Sequence, residues 1–306
     1  MPEGLNFAPP VITVDVEDWP QSTWDRSLPI TERAVSNTRK VLELLRKAQV
    51  RATMFVLGKL AETFPYIVRE IQADGHEVAS HGYGHLEIFK QSRREFHEDA
   101  LHSKDLLEQI LGESVRGYRA PDFSVVQRSL WALELLSEIG YTYDSSIFPV
   151  SRRRYGIPEW PVTPAHVALP NGKSIIEIPI ATFRCFDKNW PVGGGGYHRL
   201  LPGGLSRWLA ERVMGSQPFT FYCHPYEFDG REFEELSIEV PLSTRLHQGL
   251  GRSYFAKRFS AFLLRFGGRR VEDLLLSSEF PTIRLNPTLD SVTPWLVTTD
   301  TVGTAP

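Results

Sequence analysis

The sequence has few cysteines and no excess of positive charge. Only Cys185 and Cys223 occur among 306 residues, too few for a disulfide framework and without the spacing of a metal-binding motif. The formal net charge is −3, so the chain lacks the basic footprint of a nucleic-acid-binding protein. We therefore expect a globular protein that folds without disulfides and does not take nucleic acid as a partner.

Long apolar runs are also missing. No window approaches the roughly 18 apolar residues of a membrane-spanning helix, and residues 1–6 lack the basic and apolar segments of a signal peptide. The sequence predicts a cytoplasmic protein without a transmembrane segment, with a periplasmic or membrane-peripheral location as the open alternative. Nothing in the sequence indicates an oligomeric state.

Strand-like and helix-like segments alternate from the start of the chain, which predicts a parallel sheet with sites at the carboxyl ends of its strands. The predicted strands are residues 11–16, 51–57, 76–80, 115–119, 141–145, 174–180 and 219–223, and the helices 31–47, 60–73, 96–111, 128–139 and 205–214. Polar clusters follow five of these strands, at residues 15–18, 81–85, 119–123, 144–146 and 224. This pattern favours an α/β protein with a (β/α) barrel, closed or partly open, over a doubly wound sheet.

His81 and His85 are four residues apart, on one turn of helix or on a tight loop, so both imidazoles can face a common point. The acidic cluster at residues 15–18 can supply a third ligand and still leave a free carboxylate as a base. Two histidines and one carboxylate leave open positions on Zn²⁺ for water and substrate, as in a catalytic site. The alternative for an isolated histidine pair is a core or surface position.

Two further side chains suit amide hydrolysis. Arg119 can orient a carboxylate through a bidentate contact, or form a structural salt bridge in the same position. His224 follows an apolar run and can protonate a leaving amine, although a lone histidine after a strand is more often structural. The four glycines at residues 193–196 predict a mobile loop near the site, or a plain surface connection. His76 is expected to be packed and hydrogen-bonded.

These motifs resemble those of the polysaccharide deacetylases of carbohydrate esterase family four, the NodB homology group. The resembling stretches are residues 13–18, 75–85, 119–123, 143–146 and 221–224, in the family's order, with the fourth diverged. Later stretches, at residues 154–158, 194–202 and 224–229, are similar to a bacterial subgroup with an added C-terminal region. That subgroup is linked to exopolysaccharide and exosortase loci.

The resemblance implies a distorted (β/α)₇ barrel over residues 1–230. It implies a C-terminal extension, residues 231–306, packed on the barrel, and we expect about the last 20 residues to be disordered. It also implies a divalent metal, usually Zn²⁺, with Co²⁺, Ni²⁺ or Mn²⁺ as alternatives. The implied partner is an N-acetylated glycan, from which the enzyme removes N-acetyl groups as a hydrolase of carbon–nitrogen bonds.

The resemblance also implies roles for individual residues. Asp15 is the expected base, held by Arg119, and His224 the expected acid. His81 and His85 are expected to bind the metal together with Glu17 or Asp18, because Val16 stands where the family's commonest motif has its second aspartate. The expected metal ligands are therefore His81, His85 and one of the two carboxylates Glu17 and Asp18.

Four aromatic residues are expected to contact the substrate. A backbone N–H near Tyr83 or Phe123 is expected to stabilise the oxyanion, and Trp190 and Tyr197 can stack on a sugar or belong to the core. Two other functions stay open. One is hydrolysis of a small cyclic or linear amide, as in the allantoinase-like branch of the superfamily; the other is a non-catalytic glycan-binding module.

Overall fold

The computed structural model describes residues 7–236, 238–287 and 295–299. Its strands are β1 (Val11–Val16), β2 (Thr53–Val56), β3 (Glu77–Ser80), β4 (Gly117–Tyr118), β5 (Tyr143–Asp144), β6 (Ala165–Ala168), β7 (Ser174–Glu177), β8 (Thr182–Cys185), β9 (Lys188–Pro191), β10 (Thr220–Cys223), β11 (Thr282–Pro287) and β12 (Trp295–Thr299). Its helices are α1 (Glu32–Lys47), α2 (Gly58–Thr63), α3 (Pro65–Ala73), α4 (Arg93–Leu111), α5 (Ala132–Ile139), α6 (Gly195–Leu200), α7 (Gly203–Met214), α8 (Glu232–Glu235), α9 (Leu242–Gly249), α10 (Arg252–Phe266) and α11 (Val271–Ser277).

Seven strands form the parallel part of one sheet, in the order β10-β1-β2-β3-β4-β5-β7. Strand β1 is buried at all six positions, as expected for a parallel strand covered on both faces. Because the strands run the same way, their carboxyl ends lie along one edge. This arrangement confirms the predicted α/β barrel-type fold, and it brings the polar clusters that follow the strands to one end.

The glycine run at residues 193–196 closes the barrel. Tyr222 N donates to Gly193 O at 2.7 Å, and Ala181 N donates to Thr220 O at 3.1 Å, so the chain beyond β7 lies beside β10. A Cβ atom on Gly193 would lie 2.3 Å from Thr220 O, which only glycine avoids. Gly193, Gly194 and Gly195 are closely packed against neighbouring atoms, and α6 begins at Gly195, so the mobile loop predicted there is wrong.

The C-terminal region packs on the barrel. Phe259 and Phe262 of α10 stack on Phe221 of β10, with ring centroids 5.7 and 5.3 Å apart. Helix α11 covers the amino ends of the strands, where Val271 N donates to Thr53 Oγ1 at 2.8 Å. The predicted domain boundary near residue 230 stays a prediction.

The sheet continues beyond β7. Strand β6 is antiparallel to β7, β11 is parallel to β6, and β12 is antiparallel to β11. The strand Trp295–Thr299 therefore belongs to the sheet, in contrast to the disorder expected for the last residues. Residues 288–294 and 300–306, which fall in the same predicted stretch, lie outside the described residues. Within the described ranges, no helix is long and apolar enough to cross a membrane.

Several predicted elements change in length. The helix expected over residues 60–73 is divided into α2 and α3 at Pro65, because proline lacks an N–H and favours the first position of a helix. The strands expected at residues 115–119 and 141–145 shorten to the two-residue β4 and β5. Strands β6, β8, β9, β11 and β12 were not predicted. Strands β6, β8 and β9 have only four residues each, which are too few to show a clear alternation.

Candidate active site

Three side chains from two strand ends converge. Glu17 follows β1, and His81 and His85 follow β3. His85 Nε2 lies 2.7 Å and His81 Nε2 lies 3.3 Å from Glu17 Oε2, and all three side chains are at most 5% exposed. The three possible ligand atoms lie within 4.8 Å of one another. The structure therefore brings together a group of residues with the composition and the spacing of a metal-ligand cluster.

The segment 81–85 is a loop and not a turn of helix. Gly82 has φ of 72°, a left-handed conformation that favours glycine. Asp99 of α4 accepts hydrogen bonds from the N–H groups of Tyr83 at 2.9 Å and Gly84 at 3.1 Å. The spacing of the two histidines therefore works through a loop that α4 holds in place.

The tautomer of His81 and the unpaired carboxylate oxygen of Glu17 fit a divalent cation. His81 Nδ1 lies 2.9 Å from Arg119 O; since a carbonyl only accepts, Nδ1 carries the proton and Nε2 is left free as a ligand. Apart from the two imidazoles, buried Glu17 Oε2 has no hydrogen-bond donor among the described residues. Such a carboxylate oxygen is costly to bury without a counter-charge.

The charges in this cluster are strongly coupled. Burial disfavours ionisation of Glu17, but His85 and His81 outweigh burial and hold the pKa of this carboxyl well below its usual value. Burial likewise opposes the charged form of His85, and Glu17 raises its pKa above the ordinary value. The cluster thus stabilises positive charge at the centre of the site.

Asp18 lies outside the cluster. Its Oδ2 accepts a hydrogen bond from Thr31 N at 2.7 Å, just before α1, and burial raises its pKa to about 6. Asp15 and Glu17 share one side of the chain by the two-residue strand period, whereas Asp18 does not. Of the two carboxylates left open by the sequence, the structure brings Glu17 to the histidines; Asp18 as a metal ligand is wrong.

Asp15 is held by a saturated, buried arginine. Arg119 Nη1 donates to Asp15 Oδ1 at 2.7 Å, through one nitrogen and not the bidentate contact that was expected. Its Nε and Nη2 donate to Ser145 O and Oγ at 2.9 and 2.8 Å, and the Phe55 ring centroid lies 4.0 Å from Arg119 Cζ. Because every edge of the guanidinium is engaged, Asp15 is fixed, and its Oδ2 lies 3.9 Å from His224 Nε2.

His224 faces the same point from β10. Its Nε2 lies 3.8 Å from Glu17 Oε1, and its Nδ1 is 3.0 Å from Glu227 Oε1. Arg199 Nε donates to the other oxygen of Glu227 at 3.1 Å. Burial disfavours the imidazolium, but the Glu227 hydrogen bond and the charges of Glu17, Glu227 and Asp15 outweigh it and raise the pKa of His224 to about 9. His224 is therefore a protonated donor at neutral pH.

The predicted substrate-binding aromatics are spread more widely. Phe123 lines the cavity of about 170 Å³ that contains the cluster, with Tyr155 beside it. Tyr197 does not line the cavity but contacts Tyr155, with the two hydroxyl oxygens 3.2 Å apart. Trp190, on the hairpin β8–β9, lines a different cavity. The structure therefore places Phe123 in the site and Tyr197 next to it; Trp190 lies outside this cavity, and its contact with substrate stays a prediction.

The oxyanion donors expected near Tyr83 and Phe123 are already engaged. Tyr83 N donates to Asp99, and Phe123 N donates to Ala120 O at 3.2 Å. The Tyr83 hydroxyl turns away from the cavity and donates to Glu62 at 2.8 Å. Neither of these two N–H groups is free for an oxyanion in this conformation.

Three supporting residues were not identified from the sequence. Glu227 had a local signal, because it follows His224 by three residues in the short 3₁₀ helix Pro225–Phe228. Asp99 and Arg199 had none, since only the fold brings them to the site. Asp144, in the diverged fourth motif, accepts a hydrogen bond from Ser146 Oγ at 2.5 Å. The carboxylate that contacts the His224 imidazole in this chain is that of Glu227.

Comparison with known proteins separates two regions. The family model for polysaccharide deacetylases matches residues 12–143, and a domain of unknown function, DUF3473, matches residues 145–276. A peptidoglycan-N-acetylglucosamine deacetylase of Bacillus cereus is 33% identical over 98 residues, 32% of this chain and 36% of that protein. A chitooligosaccharide deacetylase of Azorhizobium caulinodans is 28% identical over 143 residues, 46% and 60% of the two chains. The matches thus span less than two thirds of these relatives.

Solved structures support the fold. A Mycobacterium smegmatis protein, solved as a candidate polysaccharide deacetylase, has a TM-score of 0.56 at 18% identity, over 89% of this chain and 93% of that one. Puue allantoinase has a TM-score of 0.55 at 16% identity, over 89% and 95%. At these identities the likeness concerns the fold alone. Residues 12–143, which carry Asp15, Glu17, both histidines and Arg119, match the family model for polysaccharide deacetylases.

Proposed function

We propose that this protein is a metal-dependent deacetylase that removes N-acetyl groups from the amino sugars of a bacterial polysaccharide or exopolysaccharide precursor. The convergence of the Glu17–His81–His85 cluster with a fixed carboxylate and a protonated imidazole carries the proposal. A divalent metal, most simply Zn²⁺, held by these three residues would supply Lewis acidity at the acetyl carbonyl and lower the pKa of water.

The chain's own residues supply the proton transfers. Asp15, fixed through one oxygen by Arg119, is positioned to accept the proton of the attacking water at its other oxygen. His224 is positioned to donate its Nε2 proton to the departing amine nitrogen. Its Nδ1–H is held by Glu227, which keeps the ring oriented. The base and the acid lie 3.9 Å apart, so both reach one bound acetamido group.

The substrate class is supported by the relatives and by the cavity. The B. cereus and A. caulinodans relatives are named for peptidoglycan and chitooligosaccharide, both of which carry N-acetylated amino sugars. Phe123 and Tyr155 line one wall of the cavity, and an aromatic wall is suited to a sugar ring.

The deciding experiment measures acetate release from N-acetylglucosamine oligomers and from acetylated exopolysaccharide. The protein is stripped with chelator and then given Zn²⁺ or Co²⁺. Restored acetate release supports the proposal, and His81→Ala or Asp15→Asn should abolish it while the circular dichroism spectrum is unchanged. Full activity in either variant would contradict the scheme.

The same assay covers the two other functions. Allantoin and short linear amides are offered in parallel, with ammonia or amine release as the readout. Turnover of a small amide without any acetate from glycans would favour the allantoinase-like function. Stoichiometric metal and glycan affinity without turnover of any substrate would favour a binding module.

A further inference from the structure

A second cavity lies beside the candidate active site. It measures about 320 Å³, and its lining includes three cations, one carboxylate and one tryptophan: Arg152, Arg184, Lys188, Asp187 and Trp190. The loop that carries Arg152 also carries Arg154 and Tyr155, which line the active-site cavity. Arg152 and Arg154 are two residues apart, at most about 7 Å along the chain. One loop therefore lines both cavities. The separation of Arg152 and Arg154 along this loop is one that a short oligosaccharide spans.

This loop, which we call the arginine loop (residues 148–157), is fixed at its base. Ile157 N donates to Phe148 O at 3.0 Å and closes the loop at its base. The Tyr155 ring stacks on Phe148, with centroids 5.8 Å apart. Gly156 has φ of 106°, and a Cβ there would lie 2.0 Å from Val150 O. These contacts fix the base of the loop, from which its exposed, charged tip at residues 151–154 projects.

The positive charge of the tip is only partly neutralised. Arg154 pairs with Asp122 at 2.8 Å, but Arg152 contacts only tyrosine hydroxyls. Across the cavity, Lys188 adds a further cation. In the described part of the chain, no acidic side chain forms an ion pair with Arg152, Arg153 or Lys188. Adjacent like charges repel one another, so an anionic ligand would stabilise this arrangement.

Trp190 gives the cavity an apolar face. Its indole is half exposed and its Nε1 donates to Cys185 O at 3.3 Å, which orients the ring on the hairpin β8–β9. On the same hairpin, Arg184 already pairs with Asp187 at 3.5 Å, so we do not count it among the cations that await a ligand. An exposed ring beside arginine and lysine side chains suits a ligand that has both a sugar face and a negative charge.

We propose that the second cavity is a distal glycan subsite for an acidic sugar unit, bound through Trp190, Arg152 and Lys188. This inference rests on the proposed deacetylase function and adds the substrate class: an anionic N-acetylated glycan. The acidic group is a carboxylate or a phosphate, carried by a unit next to the sugar that loses its acetyl group.

The test compares oligosaccharides of equal length on the Zn²⁺-loaded protein. The acidic probe alternates N-acetylglucosamine with glucuronic acid, the neutral probe is an N-acetylglucosamine oligomer, and a third probe carries phosphate on the unit next to N-acetylglucosamine. We expect kcat/KM for acetate release to be at least about tenfold higher for a charged probe, mainly through KM. The better of the two charged probes identifies the source of the charge. Equal kcat/KM for all three would overturn the inference.

Variants locate the effect. Trp190→Ala and the double variant Arg152→Gln/Lys188→Gln should each lose more activity on the charged oligosaccharide than on monomeric N-acetylglucosamine. The double variant should also weaken the dependence on ionic strength. Trp208→Ala removes a tryptophan of similar exposure, 46% against 50%, and Arg94→Gln/Lys47→Gln removes two charges far from the cavity. An undiminished preference for the charged probe in the double variant would contradict the subsite.

The outcome for the proposed function is read separately. If no probe releases acetate, the deacetylase proposal fails, and the affinities of the wild-type protein for the charged and neutral probes are measured by calorimetry. Tighter binding of a charged probe, lost in Arg152→Gln/Lys188→Gln, would still support the subsite. Equal affinities would overturn it as well.

Discussion

Two glutamates at opposite ends of the barrel, Glu17 buried and Glu77 partly buried, have contrasting surroundings. Glu77, at the amino end of β3, accepts hydrogen bonds from Thr53 Oγ1 at 2.5 Å, Tyr143 Oη at 2.8 Å and Glu272 N at 3.0 Å. Glu17, beyond the carboxyl end of β1, has one hydroxyl donor on Oε1 and only imidazole nitrogens around Oε2. The fold supplies hydrogen-bond donors to both oxygens of the Glu77 carboxylate, whereas Glu17 Oε2 has only the two imidazoles beside it.

The difference separates a structural role from a functional one. A polar group whose hydrogen bonds are all made within the fold contributes to stability. A buried carboxylate oxygen that faces only imidazole nitrogens is stabilised by a cation, which the fold itself does not supply. The amino end, covered by α11, is therefore the structural end of the barrel. The carboxyl end carries the candidate active site.

The largest expected effect follows from removing the charge of Glu17. Glu17→Gln should lower the turnover by about 10³-fold or more, because a neutral amide neither binds the metal well nor balances the imidazoles. Acetate release and metal content by mass spectrometry measure this effect, and Glu77→Gln is the matched control with a full metal complement. A Glu17→Gln variant that keeps one metal per chain would break the comparison.

A pH effect on stability is expected from His76 at the structural end. Ala52 N donates to its Nδ1 at 3.1 Å, and burial lowers the pKa of His76 from 6.5 to about 4. Between pH 6.5 and 4, His76 is protonated in the unfolded chain but stays neutral in the folded chain. The free energy of unfolding is therefore unaffected by His76 above pH 6.5 and falls as the pH decreases toward 4. The loss attributable to His76 is roughly 3 kcal/mol at most.

Urea unfolding at several pH values checks this expectation. The wild-type free energy of unfolding should fall more steeply between pH 6.5 and 4 than that of His76→Gln, which has no group to titrate. Parallel curves for the two proteins would show that His76 is not held neutral by burial.

Removing Glu77 should affect stability and leave the site intact. Glu77→Ala leaves three donors without their acceptor, which should lower the free energy of unfolding by about 1–3 kcal/mol. Metal stoichiometry of the folded fraction should stay at the wild-type value. Glu43→Ala, at an exposed glutamate of α1, serves as the control and should unfold as the wild type does. Loss of metal in Glu77→Ala would remove the distinction between the two ends.

The smallest expected effect concerns the partner of the acid. Glu227→Gln keeps a hydrogen-bond acceptor for His224 Nδ1 but removes the charge, so we expect kcat to fall by about tenfold. Because that charge raises the pKa of His224, the alkaline limb of the pH–rate profile should move to lower pH. Glu234→Gln, at a nearby exposed glutamate, should leave the profile unchanged. An unshifted limb in Glu227→Gln would show that the charge of Glu227 does not set the pKa of His224.

Much of the barrel was predictable because its strands are short apolar runs separated by amphipathic helices. The chemical side chains were found because each lies at the end of such a run: Asp15 in β1, His81 after β3, Arg119 after β4 and His224 after β10. The close packing at residues 193–195 could not be predicted, since a sequence pattern does not distinguish freedom of the backbone from lack of space for a Cβ atom.

The sequence by itself determined the types of chemical group and the end of the barrel at which they meet, because strand direction and the two-residue period are local properties. Only the tertiary structure decided between Glu17 and Asp18, since that choice depends on where the chain turns toward α1. It also decided which residues hold His81 and His224, and it placed Trp190 in a cavity of its own. These contacts join residues far apart in the chain, and packing, not local pattern, brings them together.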